Sequence, residues 1–228
     1  MYFCKKFDTK VAKAIIAGAS GLIGGLLIDI LLQNSEYKEV VILVRKELPV
    51  KHNKLKQLVI DFDKLNDYAA EITGDVIFCC LGTTRRKTPD RAVYRKIDHD
   101  YPVQMAKIGL QNGIEQYHLV SALGANASSS TFYMRTKGKV EDDIINVGLK
   151  CLQIYQPSFL TGHRAEKNRV EERIVGVLFK LIDTLLLGGL KKYRSIPAKT
   201  VAMAMYKQSL KQQEGVFIHL SDQIKQLS

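Results

Sequence analysis

The stretch AIIAGASGLIG, Ala14 to Gly24, decides how the rest of the chain is read. Ala14 to Ala17 form a short apolar run suited to a strand, and glycines follow at 18, 21 and 24 in GxxGxxG spacing. Gly18 permits a tight turn out of the strand, Gly21 lets a backbone approach a pyrophosphate, and Gly24 lets the next helix lie close on the sheet. Free N–H groups at the start of that helix, at the positive end of its dipole, suit phosphate. The spacing alone would fit an ordinary strand–helix turn. Its place on the first strand of a βαβ pattern makes it a dinucleotide loop.

Outward from this loop, short apolar runs alternate with longer helical patterns. Strands are expected at Ala14–Ala17, Val40–Val44, Leu58–Ile60, Val76–Cys80, Tyr117–Val120 and Leu152–Tyr155, with a late one at Val216–Leu220. Helices are expected around 22–34, 90–111, 133–148 and 169–187. Nearly continuous apolar strands are those of a parallel sheet covered on both faces, so the fold class is α/β with a doubly wound parallel sheet. Right-handed crossovers then gather the loops after the strands along one edge, where ligands bind. At about 100–200 residues per domain, 228 residues make one domain, 1–228, with 157–200 as a small C-terminal cap.

The strand ends carry the specificity. A binder of the non-phosphorylated dinucleotide usually ends its second strand in an acid that holds the ribose 2′-OH. Here the strand reads VILVRK, and Arg45 and Lys46 take that place. A guanidinium can fork onto a 2′-phosphate and stack on adenine, so NADP(H) is favoured over NAD(H); the alternative is two solvated charges. After the third strand, Asp61 and Phe62 either frame adenine or form a helix cap with a buried ring. After the fourth comes CCLGTTRRK: Gly82 allows close backbone approach, and Thr83 and Thr84 have hydroxyls for phosphate or ribose. Arg85, Arg86 and Lys87 either attract an anionic substrate or are a solvated run.

Ser121 follows the fifth strand, Tyr133 lies twelve residues on and Lys137 four after that. The YMRTK spacing puts Tyr133 and Lys137 on one helix face, a turn apart. A free tyrosine titrates near 10, and an adjacent ammonium stabilises the phenolate, which brings proton exchange nearer neutrality. The expected chemistry is hydride transfer to or from a carbonyl or alcohol carbon. Ser121 would polarise the carbonyl, Tyr133 would act as acid/base, and Lys137 would hold the tyrosine and the ribose.

The glycine loop, Ser121, the Tyr133–Lys137 pair and Pro157 after the sixth strand resemble the short-chain dehydrogenase/reductase superfamily. GASG, DFDKLNDY, FCCLGTTR, VSALGAN and the Ile196–Pro197 pair resemble its atypical, Tat-interacting-protein branch over nearly the whole chain, least over about 162–195. The resemblance implies an NADPH-binding Rossmann domain of the extended-like type with a reduced C-terminal substrate region. It implies Gly18, Ser20, Gly21 and Gly24, with Leu22 and Ile23 between them, at the pyrophosphate, Arg45 with Lys46 at the 2′-phosphate, and Asp61 and Phe62 beside adenine. It further implies Leu81, Gly82 and Thr83 along the cofactor, Lys137 at the ribose, and Pro157, Ser158 and Phe159 near the nicotinamide. Asp98 is the nearest match to the relay asparagine common on the fourth helix, and Gln156 stands where the branch often has arginine.

Composition narrows the rest. With 46% hydrophobic and 25% charged residues the chain can bury a full core, which excludes disorder and a disulfide-stapled miniprotein. A net charge of +11 and a pI near 9.4 favour anionic partners without choosing one. No helix-turn-helix, zinc finger or RNP-like run is visible, so no specific nucleic acid is expected. Cys4, Cys79, Cys80 and Cys151 have no metal or disulfide spacing and read as reduced thiols. His52, His99, His118, His163 and His219 have no ligand spacing either, so no metal is expected. The apolar run Ile174–Leu190 is interrupted by Lys180 and Asp183 and is short for a membrane span. It reads as an amphipathic helix on the core, or as an interfacial one. The first ten residues lack a secretory signal, and a cytoplasmic location is expected. The leading function is an NADPH-dependent oxidoreductase. The second is an NADPH-binding regulator working through protein partners, and a homodimer is compatible with both.

Overall fold

A computed structural model describes residues 12–162, 183 and 186–228. Its centre is a seven-stranded parallel sheet of β1 (Ala12–Ala17), β2 (Tyr37–Val44), β3 (Leu55–Val59), β4 (Val76–Cys79), β5 (Gln116–Val120), β6 (Cys151–Gln156) and β9 (Gly215–Leu220), in the order β3-β2-β1-β4-β5-β6-β9. The order reverses between β1 and β4. The chain leaves those two strands in opposite directions, and the crevice opened at their carboxyl ends is where such sheets bind ligands. The Rossmann-like architecture expected from the alternating pattern is therefore present.

Side-chain alternation explains the two faces. Ala14, Ile16, Val40, Ile42 and Phe78 point to one side, where they meet α1 (Leu22–Gln33) and α5 (Ala198–Ser209) through Leu27, Leu31, Val201 and Met205. Ile15, Ala17, Val41, Leu43 and Ile77 point to the other and meet α3 (Tyr101–Gln111) and α4 (Phe132–Ile145) through Met105, Ile108, Val140 and Ile144. Both faces are buried, so the period-two pattern appears in the sequence as unbroken apolar runs.

The region expected at 90–111 as one helix is α2 (Arg91–Arg95), a π-helical turn over Lys96–Asp100, and α3. Asp90 starts it by accepting the N–H groups of Ala92 and Val93. In the π turn the Tyr101 N–H bonds to the carbonyl of Lys96, five residues back. The extra residue rotates the helix surface, and this turn carries Asp98 inward.

The C-terminal part of the chain returns to the main fold. Val216–Leu220 lies in β9, which pairs with β6 as an edge of the main sheet, and α5 packs on α1. Among the described residues, what lies beside the sheet here is the two-stranded pair β7 (Leu160–Thr161) and β8 (Ile196–Pro197), with a short 3-10 turn at Gly188–Tyr193. The chain closes with α6 (Ser221–Leu227). Cys4, His163 and most of the expected helix at 169–187 lie outside the described residues, as does most of the apolar run Ile174–Leu190.

Candidate active site

The loops after β1, β4 and β5 meet over the reversal point and enclose a cleft of about 860 Å³. One wall is backbone. Gly18 has φ +83°, and a Cβ there would sit 2.4 Å from the Cys80 carbonyl oxygen. A Cβ on Gly24 would sit 2.3 Å from the Gly18 carbonyl oxygen. These two glycines are thus required by packing: the turn, the β4 end and α1 occupy space that any side chain would need. Gly21 begins α1, donating its N–H to the Gly18 carbonyl at 2.9 Å. No side chain caps the helix and its first turn holds no acid, so its free N–H donors face the cleft, which suits a diphosphate. Ser20, Gly21, Leu22 and Ile23 line this side, and Leu81, Gly82 and Thr83 line the floor.

The opposite wall is made of side chains. Ser121, Tyr133 and Lys137 all reach the cleft, as does Asp98. The Lys137 Nζ lies 3.0 Å from Asp98 Oδ1, and both residues are buried. Asp98 Oδ2 accepts the Thr83 N–H at 2.8 Å, which fastens the floor loop to the π turn. Thr83 Oγ1 is shared with Thr88 Oγ1 at 2.8 Å. Burial alone would lower the Lys137 ammonium, but Asp98 and Tyr133 outweigh it and hold it above its usual value. Burial raises the Tyr133 phenol, Lys137 draws it down, and Asp98 pushes it up again. The net direction is upward, tempered by solvent because the side chain is 38% exposed. Lys137 draws this phenol down in the expected direction, but burial, with Asp98 beside the ammonium, outweighs it, so the net shift is away from neutrality.

A further group was not anticipated. Ser121 Oγ donates to Glu141 Oε1, and Gln156 Nε2 donates to both Glu141 oxygens, at 3.1 and 2.9 Å. The Ser121 hydroxyl, expected to polarise a substrate carbonyl, is thus hydrogen-bonded to Glu141. The signal for Glu141 lay in the helix spacing, since Tyr133, Lys137 and Glu141 recur every fourth residue on one face of α4. Gly138 belongs to the same device: a Cβ on it would lie 2.0 Å from the Ala127 N, so α4 presses against the loop after β5.

Several other expected site residues stand outside the cleft lining. Arg45 and Lys46 are exposed just beyond β2. Asp61 accepts the Asp63 N–H as a helix cap, and Phe62 is buried against Tyr101 with ring centres 5.5 Å apart, the structural alternative for this pair. Pro157 accepts the Leu123 N–H, Ser158 donates to the Arg194 carbonyl, and the Phe159 carbonyl accepts the Ile196 N–H. This segment therefore ties β6 to β8. Arg85 and Arg91 lie 5.9 and 5.5 Å from the Phe132 ring centre, and Lys87 lines the rim. Cys79, Cys80 and Cys151 are free thiols raised by burial. Among the described residues no helix is long and apolar enough to cross a membrane, and no group of three His, Cys, Asp or Glu could hold a metal ion.

A family model described as NAD(P)H-binding matches residues 18–177, from the first glycine of the loop across both walls. The chain belongs to this NAD(P)H-binding family. As an atypical short-chain dehydrogenase/reductase, this NAD(P)H-binding protein is 32% identical over 203 residues to Protein HTATIP2 of Rattus norvegicus, covering 87% of this chain and 81% of that one. It is 33% identical over 182 residues to Protein FMP52, mitochondrial, of Candida albicans, covering 78% and 80%. The Bordetella bronchiseptica enzyme WbmH, solved in complex with NAD+, superposes with a TM-score of 0.69 at 14% identity, over 95% of this chain and 79% of that one, and shows the shared fold. The expected cytoplasmic location is corrected by the fungal relatives, several of which are named mitochondrial.

Proposed function

We propose that this NAD(P)H-binding protein is an NADP(H)-dependent oxidoreductase that interconverts a carbonyl and an alcohol. The observation that carries the reading is the meeting of Ser121, Tyr133 and Lys137 with the glycine loop in one cleft. Ser20 to Ile23 and Leu81 to Thr83 hold the dinucleotide, with Gly18 and Gly24 shaping the loop behind them. Arg45, as a charged fork, and Lys46, as a point charge, meet the 2′-phosphate beyond the end of β2. Pro157 to Phe159 border the far end of the cleft. When bound, the nicotinamide supplies or accepts the hydride. Tyr133 gives or takes the proton at the substrate oxygen, and Lys137 holds that phenol and the ribose. The chain 1–228 acts as one such domain, with residues 157–200, which include β7 and β8, as its small cap. The names of the fungal relatives support a mitochondrial setting for this chain.

A second reading is favoured by one observation: the Ser121 hydroxyl is held by Glu141 and the Tyr133 phenol is raised. This suits a protein that senses NADPH and acts through protein partners with little turnover. The two separate in one assay. NADPH consumption is followed with a panel of aldehydes and ketones, beginning with 4-nitrobenzaldehyde, in wild type and in Tyr133→Phe. The oxidoreductase reading expects turnover in the wild type that Tyr133→Phe abolishes. Binding of NADPH with no turnover of any panel member supports the sensor instead.

A further inference from the structure

Glu141 is 6% exposed and sits one turn beyond Lys137 on α4. Its close partners are neutral: the Ser121 hydroxyl at Oε1, and the Gln156 amide at 2.9 Å from Oε2 and 3.1 Å from Oε1. A carboxylate in such a place has lost water without gaining a cation in contact, a costly arrangement that proton uptake relieves. The charges that face it are few. Lys137 on its own helix draws the carboxyl down, but that ammonium is shared with Asp98 of the π turn and with Tyr133. Asp142, next along α4, pushes it up. From the loop after β5 and from β6 its hydrogen-bond partners, among the described residues, are Ser121 and Gln156. Burial is the largest influence, and the carboxyl stands above its ordinary range.

The hydrogen-bond inventory then limits where the proton can sit. The Gln156 Nε2 only donates, so Oε2 is an acceptor in either state. A proton on Glu141 therefore belongs on Oε1, facing Ser121 Oγ. We infer that Glu141 is a positioning residue that sets the direction of the Ser121 hydroxyl. As the acid, Glu141 donates to Ser121 Oγ, and the Ser121 proton turns into the cleft to meet a substrate oxygen. As the carboxylate, Glu141 takes the Ser121 proton into its own hydrogen bond, and Ser121 presents only lone pairs to the cleft. The oxygen on the reacting carbon gains negative charge in the transition state of either direction, so Ser121 assists only while Glu141 holds its proton. The catalytic consequence rests on the oxidoreductase reading above; the coupling of the two side chains does not.

The test has two arms. In the first, the protein is labelled with 13C at the glutamate carboxyl and titrated by NMR, the Glu141 signal being assigned by its loss in Glu141→Gln. Its midpoint should lie above the ordinary carboxyl range, rise further in Ser121→Ala, which loses a donor to the carboxylate, and fall in Gln156→Arg, which supplies a cation. A normal midpoint, or one indifferent to Ser121→Ala, overturns the inference without touching the oxidoreductase reading. In the second arm, kcat/KM for 4-nitrobenzaldehyde with NADPH is measured against pH. The wild type should lose rate as Glu141 ionises, toward a floor about a hundredfold lower, the usual value of one donor to a developing oxyanion. Glu141→Gln should lack that limb, its amide N–H donating to Ser121 while its carbonyl accepts from Gln156. Ser121→Ala should be about a hundredfold slow with the limb absent, and adding Glu141→Gln to it should cost nothing more. A wild-type profile with no limb at the NMR midpoint, or additive losses in the double variant, overturns the inference. Absence of turnover in protein that binds NADPH overturns the oxidoreductase reading and the catalytic half with it, and the NMR arm then decides the coupling alone.

Discussion

The two walls of the cleft are built by different means. The wall at β1 and α1 is backbone from seven consecutive residues, Gly18 to Gly24, and works by having no side chains at key points. The wall at α4 is buried side chains from the π turn, β5, α4 and β6, and works through contacts between residues 15 and 20 positions apart, such as Glu141 with Gln156 and with Ser121. The first is a steric device, with no room for a Cβ at Gly18 or Gly24. The second is an electrostatic one, tolerant of shape but sensitive to each proton.

Three substitutions sharpen that contrast. Tyr133→Phe should lower turnover with NADPH by about 100–10,000-fold, the usual worth of a general acid/base, while the melting temperature stays near wild type. Gly24→Ala drives a methyl against the Gly18 carbonyl and should cost about 3 kcal/mol, read as a fall of roughly 6–12 °C in melting temperature. Intact stability in Gly24→Ala would show that the backbone wall can give. Asp98→Asn removes the charge facing the buried Lys137 ammonium and should cost a similar amount, about 3 kcal/mol by thermal melting. It also frees the ammonium for Tyr133, so the phenol should titrate lower when followed by ultraviolet absorption. A stable Asp98→Asn whose Tyr133 titration is unmoved would contradict the ion pair's place in this wall.

Away from the cleft, His118 is fully buried between Phe78 and Tyr155, and burial lowers it to about 3. Its unfolded counterpart titrates near 6.5, so the unfolded state takes up the proton first. The stability from keeping His118 neutral is complete above about pH 6.5 and is lost progressively as pH falls toward 3. Between pH 7 and 5 that amounts to about 2 kcal/mol, and urea unfolding at the two values should show it. His118→Gln should flatten this slope.

The same contrast explains what the sequence made legible. Gly18, Gly21 and Gly24 are readable because their cause is local: one strand, one turn, one helix. The core strands are readable because burial on both faces leaves continuous apolar runs, and only their ends move, as with Leu58–Ile60 against the observed Leu55–Val59. Tyr133 and Lys137 share a helix face, so their pairing could be read from spacing. Asp98 was named only as a departure because a π turn, invisible to a 3.6-residue pattern, aims it at Lys137. Gln156 and Glu141 were not joined because nothing local links β6 to α4. The edge strand β9 is legible as a strand, but not its place beside β6, since that pairing is a long-range choice.

The most direct measurement is thermal unfolding with NADP+, NADPH, NAD+ and NADH at equal concentration, in wild type and Arg45→Ala. A ligand at about 100 times its dissociation constant stabilises the fold by about 2.7 kcal/mol, which is roughly 5–11 °C for a chain of this size. The account predicts the larger shift with the phosphorylated pair, and a preference about tenfold weaker in Arg45→Ala. No shift with any of the four, in folded protein free of carried-over nucleotide, would contradict it and reduce the glycine wall to a packing turn.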